Sequence, residues 1–206
     1  MAREIELKLA VPDPALAAVA HWLDQQGEAR GEVTMLNVYL DTPARDLARA
    51  RAALRLRRKD AQWLQTLKTV DAGASSTGGL AARHEWETEV AGEAIEPARF
   101  PDAARSVVEP LLARLVPVFR TDFVRRTWLV EQDGARIEAA LDTGAISVPG
   151  TDRSERIQEV EFEFLSGDEA QAEAALRAFG ARLCAEVALA PLDLSKAARG
   201  YRLAQS

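Results

Sequence analysis

The chain is poor in the residues that carry redox, haem and zinc chemistry. Its 206 residues include one cysteine, Cys184, and two histidines, His21 and His84. A lone cysteine excludes an internal disulfide and a cysteine-rich zinc site, and it suits a reducing compartment, the cytoplasm by default. Aromatic residues make up only 6% of the chain. None interleaves the basic run of Arg49, Arg51, Arg55, Arg57, Arg58 and Lys59, so RNA binding there lacks a stacking platform. The net charge of -6 also speaks against a general nucleic-acid or anionic-membrane surface. No apolar run approaches the ~18 residues of a membrane span, and Glu4, Glu6 and Lys8 stand where a signal peptide would be apolar. Phosphate loops of the G-x-x-x-x-G-K-[ST] type, H-E-x-x-H zinc motifs and G-x-S-x-G nucleophile elbows are missing as well.

What the chain does have is charge arranged with a period of two. Glu4, Glu6 and Lys8 share one face of a strand whose other face carries Ile5 and Leu7. Arg55 and Arg57 alternate with Leu54 and Leu56. Arg83, Glu85, Glu87 and Glu89 alternate with His84, Trp86 and Thr88, and Glu159, Glu161 and Glu163 alternate with Val160, Phe162 and Phe164. Further strands are expected at 34–40, 63–69, 118–123, 127–131 and 135–141, the pair at 118–131 being readable as one long strand and Asp133-Gly134 as a hairpin turn. A helix capped by Asp13 with Pro14 at its first position places Leu16, Val19, Ala20 and Leu23 on one stripe. Helical spacing recurs at 101–115, broken near Pro110, and at 168–185, and Ser195 caps a last turn through Tyr201. Residues 71–80 show no periodicity and read as a mobile loop, either idle or a lid. The sum is an α+β fold in a single domain over 1–206, dominated by an antiparallel sheet.

A single alternating strand is ordinarily half-buried, with its charged face in water. Here the signs segregate: acids gather on the first strand and at 159–163, while Arg55, Arg57 and Lys68 gather on the middle strands. If the strands close into a barrel with helices outside, those faces line a polar tunnel with an acidic and a basic side. Packed carboxylates then require a hard cation, and the basic side requires a polyanion. Mg2+ or Mn2+ suits oxygen ligands of this kind, and zinc is disfavoured. Arginine forks and lysine charges at Lys8, Arg55, Arg57, Lys68, Arg83 and Arg125 match a chain of phosphates.

These residues, in this order, resemble the CYTH superfamily, the triphosphate tunnel metalloenzymes. The resemblance rests on Glu-Ile-Glu-Leu-Lys at 4–8, Tyr-Leu-Asp-Thr-Pro at 39–43, Leu-Arg-Leu-Arg at 54–57, Thr-Leu-Lys at 66–68 and Glu-Val-Glu-Phe-Glu at 159–163. Thr121-Asp122-Phe123 with Arg125 and Trp128, Ile137-Glu138 with Leu141-Asp142, and the run from Ser195 to Tyr201 are most similar to bacterial inorganic triphosphatases. What the resemblance implies is an eight-stranded antiparallel β-barrel, a divalent metal held by glutamates, and hydrolysis of tripolyphosphate to pyrophosphate and phosphate. By the same resemblance Glu4, Glu6, Glu161 and Glu163 are metal ligands or activate water, and Glu138 with Asp142 supports a second metal. Lys8, Arg55, Arg57, Lys68, Arg83, Arg125 and Lys196 bind phosphates; for Glu138, Asp142 and Lys196 only the resemblance speaks. Thiamine triphosphatase, nucleoside triphosphatase and class IV adenylyl cyclase activities on the same fold, and a non-catalytic polyphosphate-binding module, are the alternatives. Relatives of this kind often carry a further helical, histidine-rich domain, which is not expected within 1–206.

Lesser expectations follow from parity and helix spacing. Arg120 and Arg126 lie opposite Arg125 in parity and read as surface or rim residues. His84 faces away from the tunnel, His21 sits on the side of the first helix, and Trp86 and Trp128 pack under covering helices. Cys184 reads as a small core residue. Tyr39 and Asp41 shape either the tunnel mouth or a turn.

Overall fold

The computed structural model describes residues 2–69 and 78–205, with the side chains of residues 2, 3 and 83 excepted. Most of the loop read at 71–80, and the side chain of Arg83, therefore lie outside the described residues. Strand β1 (Ala2–Ala10) leads into helix α1 (Leu16–Gln26), then β2 (Glu28–Asp41), the short helix α2 (Asp46–Arg49), β3 (Ala52–Lys59), β4 (Gln62–Thr69) and β5 (Leu80–Val90). Helix α3 (Asp102–Val108) precedes β6 (Val116–Gln132), β7 (Ala135–Ser147), β8 (Ser154–Ser166), helix α4 (Ala172–Glu186), the two-residue strand β9 (Ala190–Pro191) and helix α5 (Lys196–Gln205).

The nine strands form one antiparallel sheet in the order β5-β4-β3-β2-β6-β7-β8-β1-β9, so curled that β1 returns to β5. Strand β1 is a staggered seam: Ala2 to Leu7 pair with β5, whereas Glu6 to Ala10 pair with β8. The result is a tunnel rather than a cylinder evenly closed along its length. Its wall also opens at the start of β2, where 28–34 pairs with β6 alone and β3 joins only from Met35 onward.

Alternation decides which side chains enter the tunnel. On β1, Ile5, Leu7 and Leu9 point outward into a core built with Val19, Leu23, Trp128, Phe162, Leu176 and Phe179, so α1 and α4 cover that side. A second outer cluster, around Leu54, Leu67 and Phe100, is covered by α2 and α3. Burying large side chains at roughly 1.5–3 kcal/mol each gives the outer faces the energy to hold a charged interior. Helix α5 behaves differently from the other helices. Its Ala197 and Tyr201 pack on Tyr39, Phe119 and Phe123, and of these Tyr39, Phe123, Ala197 and Tyr201 line the cavity, so α5 fills one end of the tunnel. Gly200 makes that approach possible, because a Cβ there would collide with the Phe119 ring.

Several local expectations change. Residues 116–132 form one strand, because Arg120 to Gln132 pair without interruption with β7, and Asp133 and Gly134 make the turn with φ of 51° and 76°. Asp13 caps nothing; its carboxylate accepts from Arg156 at 2.6 Å. The helix opening at Ser195, whose Oγ accepts from the Ala198 N–H, continues to Gln205 because Leu203 and Ala204 still have the tunnel end to pack against. Cys184 is exposed rather than core. The buried stripe of α4 runs through Ala172, Ala175, Leu176, Phe179, Gly180 and Leu183, and Cys184 lies one residue, about 100°, off it. Arg120 and Arg126 face outward beside Asp122 and Asp24, and Trp128 is buried with its indole N–H donating to Asp24.

Candidate active site

Inside the curled sheet lies a cavity of about 610 Å³ lined by both signs of charge. The strand register explains the acidic part. Glu6 sits opposite Glu163, and Glu163 sits opposite Glu138, so β1, β8 and β7 carry three carboxylates in one cross-strand row. Facing residues of this kind have Cβ atoms about 4.5–5.5 Å apart, a spacing at which like charges repel. Glu4, two residues along, adds a fourth. Burial, followed by the charges of Glu4 and Glu138, pushes the Glu163 carboxyl up to about 8. Neither Glu138 nor Glu163 has an ion-pair partner within 4 Å among the described residues, and at about 8 the Glu163 carboxyl holds a proton at neutral pH in the place a cation would take. An all-oxygen set of this kind fits a hard divalent cation.

Most of the basic groups are held by carboxylates. Lys8 donates to Glu6 at 2.8 Å, and Lys68 donates to both oxygens of Glu4 at 2.8 Å and reaches Glu85 at 3.0 Å. Burial works against a charged Lys68, yet Glu4 and Glu85 outweigh it and raise its pKa. Arg55 bonds Thr66 at 3.1 Å and Glu87 at 3.3 Å, and its buried Nε has no acceptor among the described residues. Arg57 differs. Its Nε donates to the neutral Asn37 oxygen at 2.8 Å, an acceptor turned toward it because the Asn37 amide donates to the Thr121 carbonyl. Its nearest carboxylate, Glu87, is 4.0 Å away. Burial and the charges of Arg55 and Arg125 push Arg57 down to about 10, still protonated at neutral pH. An unmatched guanidinium and an orphaned N–H on one wall suit an incoming anion.

A third group lies where α5 meets β6, β7 and β8. Asp142 accepts from Arg125 Nε and Nη2, both at 2.7 Å, and pairs with Lys196 at 2.6 Å. The Lys196 ammonium also lies 2.5 Å from Glu159 and 3.0 Å from Glu161, and Arg125 reaches Glu161 at 2.5 Å. Burial opposes ionisation of Glu161, but Lys196 and Arg125 hold it well below the usual carboxylate range. Oxygens of Asp142, Glu159 and Glu161 lie within 4.8 Å of one another, close enough for a metal. Three cations of the chain, Lys196, Arg125 and Arg199, already stand among them. The row at Glu6, Glu163 and Glu138 has a cation of the chain on it, Lys8 at Glu6, but its oxygens do not draw together within that distance.

The side chains of Glu4, Glu6, Lys8, Arg55, Arg57, Lys68, Arg125, Glu138, Glu161, Glu163 and Lys196 all line this cavity, and Asp142 lies directly behind it, bound to two of them. For Arg83 only the backbone is placed, opposite Glu4. The alternation of Glu85, Glu87 and Glu159 gives them no role in the sequence by itself; their parity with Arg83 and Glu161 is the signal that places them on the inner face. Arg199, Asn37 and Thr66 carry no expected role from the sequence, although Thr66 shares parity with Lys68, Asn37 with Tyr39, and Arg199 lies one helical turn from Lys196. Asp41 takes the turn role: its carboxylate accepts from the N–H groups of Thr42, Leu47 and Ala48 and from the Tyr201 hydroxyl at 3.0 Å. Tyr39 lines the cavity and stacks on Phe119.

The chain is 34% identical over 178 residues to an inorganic triphosphatase of Haemophilus influenzae, an alignment covering 82% of this chain and 47% of that protein. It therefore spans about half the length of that curated relative. A Hippeastrum protein, presented as an adenylyl cyclase with a dominant triphosphatase activity, superposes with a TM-score of 0.67 at 21% identity, covering 97% of this chain and 95% of that one. A protein of Pyrococcus horikoshii OT3 gives 0.62 at 20% identity, with 98% and 99% coverage. At these identities the two structures speak to fold alone. The CYTH domain matches residues 2–201, nearly the whole chain, which thus belongs to the CYTH family.

Proposed function

We propose that this chain, acting as one tunnel domain, hydrolyses inorganic tripolyphosphate to pyrophosphate and orthophosphate in a divalent-metal-dependent reaction. One observation carries the reading: the crowded carboxylate row at Glu6, Glu163 and Glu138 shares a single cavity with Arg57, a half-buried cation 4.0 Å from Glu87. A hard cation and a polyanion together neutralise both, and a metal-bound phosphate chain is the simplest guest that supplies them. The 34% identity to an inorganic triphosphatase supports the choice of substrate.

In this reading Glu4, Glu6, Glu138 and Glu163 hold Mg2+ or Mn2+, with Glu161 and Asp142 beside them tied to Arg125 and Lys196. The metal, when bound, supplies Lewis-acid stabilisation of charge on the phosphoryl oxygens. Arg57 and Arg55 grip the phosphates first, since each keeps donor capacity unused. Lys8, Lys68, Arg125 and Lys196 exchange part of their carboxylate contacts for phosphate oxygens, and Arg83 belongs to the same set by its position opposite Glu4. Charge spread over transferring and leaving phosphates is thereby stabilised in place, without a covalent nucleophile. A cytoplasmic setting without nucleic-acid or membrane partners belongs to the proposal.

A substrate panel tests it. Tripolyphosphate, ATP and thiamine triphosphate are compared by kcat/KM for orthophosphate release with Mg2+ and Mn2+. The expected result is a preference for tripolyphosphate of at least tenfold. A preference for either organic triphosphate would move the assignment to a sister activity, and tight tripolyphosphate binding without turnover would make the chain a binding module.

A further inference from the structure

Helix α5 meets β8 through a ladder of charges that leads from the tunnel to the surface. Lys196, Arg199 and Arg202, three residues apart on one helical stripe, oppose Glu161, Glu159 and Glu155, alternate residues or nearly so on β8. Glu159 is fully buried and does not line the cavity, so substrate cannot reach it. Its two oxygens are divided: Oε1 takes the Lys196 ammonium at 2.5 Å and Oε2 takes Arg199 Nη1 at 2.6 Å. Arg199 in turn is fixed by Glu155 at 2.6 Å and by the Arg156 carbonyl. It is itself buried, and none of the three groups its guanidinium bonds, Glu155, Glu159 and the Arg156 carbonyl, lines the cavity.

We propose that Arg199 is a positioning residue for the reaction, acting through Glu159 on the Lys196 ammonium; this rests on the functional reading given above. The argument is one of charge balance. With Arg199 in place, Glu159 divides its charge between two cations, and Lys196 is free to turn from it toward a phosphate. Without Arg199, a desolvated carboxylate has Lys196 as its only counter-ion and holds it back, because leaving a buried charge unpaired is costly. Helix α5 is docked by further groups besides Arg199, namely Tyr201 on Asp41 and the apolar face of Ala197, Tyr201, Leu203 and Ala204. Loss of Arg199 should therefore reach the chemistry before it undocks the helix.

Four proteins are compared with tripolyphosphate and Mg2+ at a temperature well below their thermal transitions: wild type, Arg199→Gln, Arg199→Lys, and Arg199→Gln combined with Glu159→Gln. The expected pattern is a fall in kcat/KM of at least tenfold in Arg199→Gln, recovery to within threefold of wild type in Arg199→Lys, and a double variant more active than Arg199→Gln alone. That reversal separates positioning from mere support, since two structural lesions would add. If Arg199→Gln fails to fold, the double variant is compared with wild type directly: kcat/KM within tenfold of wild type supports the proposal, and a larger loss overturns it. Wild-type kcat/KM in folded Arg199→Gln, or a double variant no better than the single one, would overturn the proposal. A wild-type protein that leaves tripolyphosphate intact would instead overturn the functional reading on which it stands.

Discussion

Arg57 and Glu163 are opposite in kind and alike in situation: among the described residues neither has an oppositely charged group closer than 4.0 Å. For Arg57→Gln the account expects KM for tripolyphosphate to rise about 10- to 100-fold, on the ~1.5–3 kcal/mol typical of hydrogen bonds to charged groups, while the thermal midpoint stays near wild type. Steady-state kinetics beside a melting curve checks both. For Glu163→Gln the expected outcome has the opposite flavour. Removing a carboxylate from a repelling row should raise the melting temperature of chelator-treated protein by a few degrees, at ~2–4 °C per kcal/mol for a chain of this size, and abolish the further rise that Mg2+ gives wild type. Scanning calorimetry with and without chelator reads the two effects. At this scale the sequence was most informative where parity operates: Glu4, Glu6, Lys8, Arg55, Arg57, Lys68 and Glu161 entered the tunnel because alternate residues must share a face. It was least informative about pairing. Nothing in the spacing of Asp142 and Lys196 says that they meet, since a 54-residue separation is closed only by α5 entering the tunnel end.

Elements fail or succeed as expected according to how local their cause is. The hairpin at Asp133-Gly134 and the apolar stripe by which α1 packs on the sheet depend on neighbours in sequence and are legible there. Seven of the long strands are legible with shortened ends and β4 with nearly its full length, because strand ends are fixed by partners rather than by composition. Helix α5 shows what tertiary context adds. A reading from Ser195 alone gives one turn, but the chain continues helical while Phe119, Phe123 and Tyr39 offer a surface to cover. Gly200 is the test of that docking. Gly200→Ala places a methyl group against the Phe119 ring, and overpacking of this kind costs roughly 1–3 kcal/mol. The expected result is a melting temperature lowered by several degrees with reduced activity, because Lys196 rides on the same helix. A Phe119→Leu change made together with Gly200→Ala should recover part of both losses.

The whole molecule separates its two solvents. Apolar outer faces lie under α1, α3 and α4, and charged inner faces enclose a tunnel whose acidic row and basic wall are each incomplete alone. The closure was legible only as a possibility in the sequence: alternating charge says that a face is polar, and cannot say whether that face looks at water or at another strand. The seam between β1 and β5 decides it, through pairing between residues about eighty positions apart. One thermodynamic consequence is that metal and polyanion should stabilise the fold cooperatively. The rise in melting temperature with Mg2+ and pyrophosphate together should exceed the sum of the rises with each alone, since each neutralises charge that repels its own kind and attracts the other.

The most direct test of the central claim is orthophosphate release from tripolyphosphate by wild type and Glu6→Gln, each with Mg2+, Mn2+ or chelator. The account predicts rapid release by wild type with either metal, none with chelator, and a loss of at least a hundredfold in Glu6→Gln with its fold intact. Release that persists in chelator, or that survives Glu6→Gln undiminished, would contradict a metal-dependent triphosphatase built on this carboxylate row.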